Sequence, residues 1–382
     1  MNKITQAENI GSSPNIANAM LGAGMDGLTV LSLFDGMSCG QLALQKAGIK
    51  VKQYYAAEID KYAIQVTQNN FPDTIQLGDV TKVFAKDLPK IDLIIGGSPC
   101  QGFSFAGKGL NFEDPRSKLF FEFVRLVNEC KPKYFLLENV KMKKEHELVI
   151  SQYMKVAPIE INSSLVSAQN RVRLYWTNIN QKSYGFFGDM FTDIPQPKDK
   201  GVKLKDILET EIDEKYYLSE KLIKYITNKK RLEKKFTAID GDKALSVMAN
   251  YFNSTNGSFC VDCNGRIDTD KTGTITSSYH KGTETNGSRP FIKEKSGCFT
   301  AGGNSGGKHS DMDLIPHNDK IRRLTPIEVE RLQTVPDGYT SSVSDTQRYK
   351  MLGNGWTVDV VAYIFGFMKS ELSNVQSGNA CT

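Results

Sequence analysis

Short apolar runs alternate with stretches of helical pattern from Leu28 onwards, and this alternation restricts the fold more than any other feature of the chain. The apolar runs are Leu28–Phe34, Val51–Ala57, Ile75–Leu77, Ile91–Ile95 and Tyr134–Leu137. The helical stretches include Gly40–Ala47, Lys61–Asn69 and Lys118–Cys130. Such a pattern predicts βαβ units, whose strands pair in parallel and whose helices cover the sheet. We therefore expect an α/β fold.

The composition and periodicity of the sequence change on both sides of this region. The N-terminal stretch is polar and lacks a clear period, whereas the apolar pattern Val358–Leu372 predicts a final helix that packs on the sheet. A helix is also expected to start at Leu324-Thr325-Pro326. The expected organisation is a flexible leader over 1–27, one domain built from 28–180 and 319–373, a smaller domain over 181–318, and a flexible tail over 374–382.

The smaller domain is expected to be mostly irregular or β. A weak threefold repeat begins at Lys243, Lys271 and Lys295, and each copy precedes a loop rich in Gly, Ser, Thr or Asn. Repeated short strands with such loops suit a surface that reads a partner. Chance matches caused by the biased composition are the alternative. A charged stretch, Lys221–Lys235, precedes them and reads as a solvated helix face or as a contact to phosphate.

Composition excludes several classes of protein. The chain has 382 residues, a formal net charge of +5, and no apolar run long enough to span a membrane or to act as a signal peptide. The mild positive charge tolerates a polyanionic partner. Its seven cysteines are scattered, which favours a reducing cytosol over a disulfide framework. Cys260 and Cys263 have a metal-ligand spacing, but no second pair completes a zinc site, so no metal is expected.

A potential ligand-binding residue closes each of five apolar runs. These residues are Asp35, Glu58, Asp79, Cys100 and Glu138. Each one alone is explained by an ordinary turn or a helix N-cap. The carboxyl ends of parallel strands lie at one edge of a sheet, where this architecture binds ligands. We therefore expect the five side chains to share one site.

Cys100 and Glu138 combine a thiol with a carboxyl group at two of these strand ends. The sequence Gly96-Gly97-Ser98-Pro99-Cys100 breaks the strand sharply and can expose the thiol. A thiolate that attacks a ring and a carboxyl group that serves a ring nitrogen would suit this pair. A buried, unreactive cysteine in a turn is the alternative.

A third element of the expected site is Gln169-Asn170-Arg171-Val172-Arg173, within a predicted strand pair over Ser163–Ile179. In a strand, Gln169, Arg171 and Arg173 share one face. Two adjacent guanidinium groups suit a phosphate, a carboxylate or a base carbonyl. The alternative is an edge strand whose arginines face solvent.

Together these motifs resemble the DNA (cytosine-5) methyltransferases. In family order they are Phe34-Asp35-Gly36 with Gly40, Glu58, Gly78-Asp79-Val80, Ser98-Pro99-Cys100-Gln101, Glu138-Asn139-Val140, Gln169 with Arg171 and Arg173, Arg322-Arg323-Leu324-Thr325-Pro326 with Glu328, Arg331 and Gln333, and Leu352-Gly353-Asn354. Two local stretches, 118–123 and 355–358, are similar to the animal de novo DNA methyltransferases. The family's usual Gly-Asn-Ser-Val is here Gly353-Asn354-Gly355-Trp356-Thr357-Val358.

The resemblance implies a Rossmann-like methyltransferase sheet with helices on both faces and S-adenosyl-L-methionine as cofactor. It implies a target-recognition domain over 181–318 and double-stranded DNA as partner. The implied cofactor-binding residues are Phe34, Asp35, Gly36, Glu58, Ile59, Asp79, Val80, Pro99, Leu119, Asn354 and Trp356. Among them Glu58 would hold the ribose hydroxyls, and Asp79 would accept from the adenine amino group.

For catalysis the resemblance implies Cys100 as nucleophile and Glu138 as the group at N3 of a flipped-out cytosine. Arg171 and Arg173 would hold the base carbonyl and order the loop, and Gly102–Phe112 would close as a lid. Relatives that act on transfer RNA share these motifs, and a non-catalytic DNA-binding protein is another alternative. A nicotinamide dehydrogenase is disfavoured because the three-glycine fingerprint is missing. The expected location is the cytoplasm, at the nucleoid in a bacterium or phage-infected cell, and a restriction endonuclease partner stays open.

Overall fold

The computed structural model describes residues 27–98, 115–184, 189–217, 243–248, 271–276, 314–317 and 320–378. Within these ranges the strands are β1 (Leu28–Leu33), β2 (Val51–Ala57), β3 (Ile75–Gln76), β4 (Leu93–Gly96), β5 (Tyr134–Val140), β6 (Ile159–Asn162), β7 (Gln169–Asn170), β8 (Val172–Thr177), β9 (Gln181–Tyr184), β10 (Asp189–Thr192), β11 (Lys243–Met248), β12 (Lys271–Thr276), β13 (Leu314–His317) and β14 (Lys320–Arg323). The α-helices are α1 (Cys39–Lys46), α2 (Lys61–Asn70), α3 (Pro115–Cys130), α4 (Lys144–Met154), α5 (Pro326–Leu332), α6 (Asp345–Asn354) and α7 (Val358–Gly378).

A seven-stranded sheet with the order β3-β2-β1-β4-β5-β8-β6 forms the centre of the fold. Neighbours from β3 to β5 pair in parallel, and β8 is antiparallel to both β5 and β6. Leu33 lies opposite both Ala57 and Gly96, and Gly96 lies opposite Leu137. The predicted α/β fold is confirmed, and the register brings the carboxyl ends of β1, β2, β4 and β5 to one edge.

Apolar residues of the helices cover both faces of this sheet, so its central strands are buried on both sides. Val30 and Ile95 belong to a core that includes residues of α1 and α7. Leu31 and Ile94, which point to the opposite face, belong to a second core that includes residues of α3 and α4. The helix α7 runs to Gly378, beyond the end at Leu372 that the apolar pattern predicted.

The strands in the second half of the chain correct one prediction. The segment Ser163–Ile179 does not fold into a strand pair of its own, since β8 pairs with β5 and β6. The solvent-facing edge strand considered for Arg171 and Arg173 is also wrong, because both residues are at most 5% exposed. The first two copies of the weak repeat form β11 and β12, which pair in parallel. The third copy and the stretch Lys221–Lys235 lie outside the described residues.

Residues 194–217 pack against the core on one face of the central sheet. Ile194, Leu204 and Ile207 belong to the main core. The Tyr216 hydroxyl donates to Asp345 Oδ2 at 2.9 Å. Within the described ranges, no helix has both the length and the apolar character needed to cross a bilayer.

A buried ion pair joins β14 to α5. Arg322 donates to Glu328 through Nη1 and Nη2, both at 2.8 Å, and the two residues are at most 1% exposed. Glu328 also accepts from the backbone N–H of Thr325 in a capping box at the start of α5, and from the backbone N–H of Glu209. One carboxylate therefore fixes chain segments that lie before and after the region 218–319.

Glu328→Gln should lower the free energy of unfolding by about 3–5 kcal/mol, because it leaves the buried Arg322 guanidinium without its countercharge. Asp337→Asn is the matched control, since Asp337 pairs with Arg331 at the surface, where such a pair contributes about 0–1 kcal/mol. Urea unfolding followed by circular dichroism measures both values. Equal losses for the two variants would contradict this account.

Candidate active site

The turn between β1 and α1 opens the backbone at the sheet edge. Phe34, Gly36 and Ser38 have φ values of 59°, 59° and 63°, in the left-handed region that non-glycine residues rarely adopt. A Cβ at Gly36 would meet no atom within 4 Å. The turn therefore presents its main chain to open space, as a ligand-binding loop requires.

Glu58 holds this turn to the next one along the edge. Its Oε2 accepts from the Gly36 N–H at 2.7 Å, and its Oε1 accepts from the N–H groups of Ile59 and Asp60, both at 2.8 Å. Glu58 therefore lies at the sheet edge, as the sequence analysis predicted. The hydrogen bond that Glu58 accepts from Gly36 was not predicted, because no sequence pattern relates residues in two different turns.

Ile59 and Asp79 follow Glu58 along the same edge. Ile59 is 77% exposed, which is unusual for isoleucine and leaves an apolar surface for a planar ring, while Val80 is buried. Asp79 Oδ1 accepts from the backbone N–H and the hydroxyl of Thr81, at 3.0 and 2.9 Å. Asp79 is thus the cap of a short 3₁₀ helix, as the alternative interpretation stated.

One carboxylate oxygen of Asp35 is shielded from solvent and has no hydrogen-bond donor among the described residues. Its Oδ1 accepts from the Tyr54 hydroxyl at 2.8 Å, whereas its shielded Oδ2 has no hydrogen-bond partner within the described ranges. Burial raises the pKa of Asp35 to about 6, although the Tyr54 hydroxyl and the nearby hydroxyls of Ser32 and Ser38 act in the opposite direction. An unsatisfied carboxylate favours a cationic or hydrogen-bond-donating ligand. Of the three acids at this edge, Asp35 is therefore the one whose carboxylate has an oxygen left for a ligand.

Trp356 forms a wall of the site from the C-terminal end of the chain. A Cβ at Gly97 would lie 3.0 Å from Trp356 Nε1 and 3.1 Å from Glu138 Oε2. A Cβ at Gly40 would lie 3.4 Å from the indole ring. The two glycines therefore leave room for the indole ring, and Trp356, Gly97 and Glu138 converge. Asn354 is exposed two residues earlier, and Leu119 is half-buried in α3.

Glu138 and Arg173 form an ion pair at the end of β5. Arg173 Nε lies 3.0 Å from Glu138 Oε1, and the residues are 5% and 8% exposed. Arg173 also donates to the carbonyl oxygen of Val172 at 2.8 Å. The pair fixes the carboxyl group with its other oxygen toward Gly97, in a region that excludes most water.

Arg171 lies between β7 and β8 and is 2% exposed. Its Nη2 donates to the carbonyl oxygen of Gly355 at 2.9 Å, and its Nε has no hydrogen-bond partner among the described residues. Burial, and then the nearby charge of Arg173, lower the pKa of Arg171 to about 9, so the side chain stays charged at neutral pH. Gln169, which was expected on the same face, instead donates to Leu332 O and Gln333 Oε1.

The end of β4 is tied to the end of β5 directly before the proposed nucleophile. Asn139 Nδ2 donates to the Ser98 carbonyl and hydroxyl oxygens at 3.4 and 3.3 Å. Pro99, Cys100 and the predicted lid Gly102–Phe112 lie outside the described residues. Burial raises the pKa of Cys39, the thiol in α1, to about 12, so Cys39 is unsuited to act as a thiolate.

Three residues that support the site were given no function by the sequence analysis: Tyr54, Asn139 and Gln333. Asn139 and Gln333 stand within recognised motifs, and that membership was the signal that could have marked them. Tyr54 carries no such mark. The described residues hold no group of three or more side chains arranged to bind a metal ion, and Cys260, Cys263 and Cys298 are outside the described ranges.

Comparisons with known proteins show which family and fold this chain resembles. The family model for C-5 cytosine-specific DNA methylase matches residues 28–370. The type II methyltransferase M1.ScrFI of Lactococcus lactis subsp. cremoris is 33% identical over 343 residues, which cover 87% of this chain and 75% of that protein. The orphan methyltransferase M.SPRI of Bacillus phage SPR is 30% identical over 427 residues, covering 89% and 97%. The solved structure of S. pombe Dnmt2 methyltransferase aligns with a TM-score of 0.58 at 18% identity, covering 90% of this chain and 99% of that one, and supports the fold.

Asp35→Asn should stabilise the protein above pH 6. Because the folded-state pKa of Asp35 is raised from 3.8 to about 6, the folded protein holds this proton more tightly than the unfolded chain. Stability is therefore lost as pH rises from about 4 to about 6, and Asn avoids that loss of about 1–3 kcal/mol. Urea unfolding of both proteins between about pH 3 and 8 measures the difference.

Asp79→Asn is the control with the opposite sign, since the Thr81 backbone N–H lowers the pKa of Asp79. That stabilising contribution is present at neutral pH and is lost as pH falls below the ordinary carboxyl range. A pH-independent difference between wild type and Asp35→Asn would show that the Asp35 carboxylate is not destabilised by burial.

Proposed function

The chain belongs to the C-5 cytosine-specific DNA methylase family, and from that premise we propose that it methylates C5 of a flipped-out cytosine in a specific duplex site. As a family member it is a DNA (cytosine-5-)-methyltransferase. We propose S-adenosyl-L-methionine as methyl donor and a covalent Cys100 adduct as intermediate. The observation that carries this proposal is the convergence of Glu138 and Trp356 on Gly97, three residues before Cys100, with Arg173 paired to Glu138.

Covalent catalysis by Cys100 answers a chemical difficulty, because C5 of cytosine is a poor nucleophile. The Cys100 thiolate forms a bond to C6, and the ring electrons move so that C5 becomes enamine-like. When bound, S-adenosyl-L-methionine would supply an electrophilic methyl group for a new bond to C5, and its sulfur would keep the electron pair of the broken S–CH3 bond and leave as a neutral thioether. Loss of the C5 proton to a base then returns the electrons to the ring and breaks the C6–S bond, which restores the thiolate.

Glu138 is proposed to act at N3 of the base. Protonated, or sharing a proton with the base, it stabilises the charge that develops when the thiolate adds. Arg173 holds the carboxyl group in place through the 3.0 Å ion pair. Arg171 offers its Nε donor to the base carbonyl oxygen, while Nη2 is anchored on Gly355. The fixed donors are thus oriented before the base enters.

The proposed cofactor pocket follows the sheet edge from β1 to β4 and ends at Trp356. Asp35 Oδ2 and the exposed Ile59 side chain are the two features that best support it, since each lacks a partner that a cofactor would provide. The residues proposed to hold the cofactor are Phe34, Asp35, Gly36, Glu58, Ile59, Asp79, Val80, Pro99, Leu119, Asn354 and Trp356.

We further propose that the region 181–318 recognises the target sequence and that double-stranded DNA is the partner. Phosphate contacts would set the register, and contacts to base edges would carry the specificity. A cytoplasmic location at the nucleoid fits relatives from a bacterium and a phage. The relatives include both type II and orphan methyltransferases, so the proposal does not include a paired restriction endonuclease.

Cys100→Ser should lower the rate of methyl transfer to duplex DNA by about 10³-fold or more, because it removes the nucleophile and little volume. Cys130→Ser is the matched control, since that half-buried thiol lies in α3 and should be dispensable. Transfer of a labelled methyl group measures both. Wild type should also form a covalent adduct with duplex DNA that carries 5-fluorocytosine, and near wild-type activity of Cys100→Ser would refute the assignment.

Replacing residues 218–313 by the equivalent stretch of M1.ScrFI should move the methylated site and leave the chemistry intact. These limits keep the core residues before 217 and the Arg322–Glu328 pair in place. Bisulfite sequencing of DNA from cells that express the chimera reads the base and its sequence context. An active chimera with unchanged site preference would place recognition elsewhere. Wild type that labels RNA but not duplex DNA of the same sequence would favour the RNA alternative.

A further inference from the structure

Gln333 follows α5 and is fully buried, and none of the catalytic steps proposed above uses it. Its Nε2 donates to the carbonyl oxygens of Leu352 at 2.6 Å and Gly355 at 3.3 Å. Its Oε1 accepts from Gln169 Nε2 at 3.1 Å and Thr357 Oγ1 at 3.0 Å. Both donors and both acceptor positions of the amide are therefore occupied.

Chemistry fixes the orientation of this amide. Carbonyl oxygens accept hydrogen bonds and cannot donate them, so the nitrogen of Gln333 must face Leu352 and Gly355. The oxygen then faces the Thr357 hydroxyl and the Gln169 amide nitrogen. A flipped amide would place an oxygen against two carbonyl oxygens in a region without solvent, which is costly.

The carbonyl oxygen of Gly355 connects Gln333 to the base-binding side of the site. This one atom accepts from Gln333 Nε2 and from Arg171 Nη2, the latter at 2.9 Å. Arg171 is 2% exposed, so its direction depends on the few acceptors that contact it. A movement of the Gly355 carbonyl would therefore move the Arg171 guanidinium.

Gln333 also holds both residues that flank Trp356. The preceding residue, Gly355, receives its Nε2 bond, and the following residue, Thr357, donates to its Oε1. Trp356 itself lies against the positions of Gly40 and Gly97 and forms the wall of the proposed cofactor pocket. The loop that carries the indole ring is thus fixed at both of its ends by one side chain.

We propose that Gln333 is a positioning residue that couples the Trp356 wall of the cofactor pocket to the Arg171 guanidinium, through the carbonyl oxygen that Gln333 and Arg171 share. The statements that the Trp356 wall contacts the cofactor and that Arg171 contacts the base rest on the proposed function. Gln333 touches neither ligand, and it acts through Gly355 and Thr357. Loss of its amide should therefore impair cofactor binding and the chemical step together.

Gln333→Met tests this role, because methionine matches the length of glutamine and removes all four hydrogen bonds. Thr357→Val is a milder second variant that removes one of them, together with the hydrogen bond that Ser163 Oγ donates to Thr357 Oγ1, with little change of shape. Thr177→Val is the matched control. Thr177 is also fully buried and donates to Phe135 O, but it lies at the opposite end of β5 from the site.

Two measurements separate positioning from general stability. The first is the affinity for S-adenosyl-L-methionine by calorimetry, together with kcat on duplex DNA at saturating cofactor. Gln333→Met should weaken affinity and lower kcat, each by about tenfold, whereas Thr177→Val should lower the urea midpoint and leave both within about twofold. Thr357→Val should change both quantities in the same direction and by less.

The second measurement is the fluorescence of Trp356, which requires no activity. The chain has two tryptophans, so Trp176→Phe leaves Trp356 as the only indole reporter. In that background Gln333→Met and Thr357→Val should shift the emission to longer wavelength and increase quenching by acrylamide, because the wall loosens and water reaches the ring.

Unshifted emission with unchanged cofactor affinity in Gln333→Met would overturn the coupling. If that variant does not fold, the same two readouts on Thr357→Val decide the question. A wild-type chain that transfers no methyl group to DNA would defeat the proposed function, and the emission of Trp356 would still decide whether Gln333 positions the wall.

Discussion

The register of the central sheet brings chemically different residues to one line in space. Leu33 lies opposite Ala57 and Gly96, and Gly96 lies opposite Leu137, so neighbouring chains leave the sheet at the same level. Residues one or two positions later then meet at a common edge. A slip of one residue in any strand would turn its side chains to the opposite face. The contacts of the candidate site therefore depend on backbone pairing that involves none of the site's own side chains.

The site buries charged side chains, which costs free energy but also provides the charged groups that would act on a substrate. Glu138, Arg171 and Arg173 are at most 8% exposed, and a charge is costly in such a place unless it is paired or hydrogen-bonded. The Glu138–Arg173 pair and the Gly355 carbonyl that receives Arg171 offset that cost. Two guanidinium groups face one carboxylate, and the surplus positive charge suits a base carbonyl whose electron density increases during addition.

The sequence predicted the parts of the site that local pattern encodes. Asp35, Glu58 and Glu138 were found because each follows an apolar run whose end is visible in the sequence. Contacts such as Tyr54 with Asp35 were not found, since they join common residue types that no local period relates. The edge-strand interpretation of Arg171 failed for a similar reason. The strand that covers β8 is the half-polar Ile159–Asn162, which does not stand out as an apolar run.

The attachment of the proposed target-recognition region explains how specificity can vary while the chemistry stays fixed. Glu328 binds the Arg322 side chain and the Glu209 backbone N–H, so segments that precede and follow the region are held by one buried carboxylate. The free-energy cost of closing a loop grows only with the logarithm of its length, so the chain between two such anchors can lengthen at little cost as long as the pairing of β12 with β7 is kept. The sheet edge, the Glu138–Arg173 pair and the loop around Trp356 all lie outside those anchors. A change of target site therefore needs no change in the residues proposed to carry the methyl transfer.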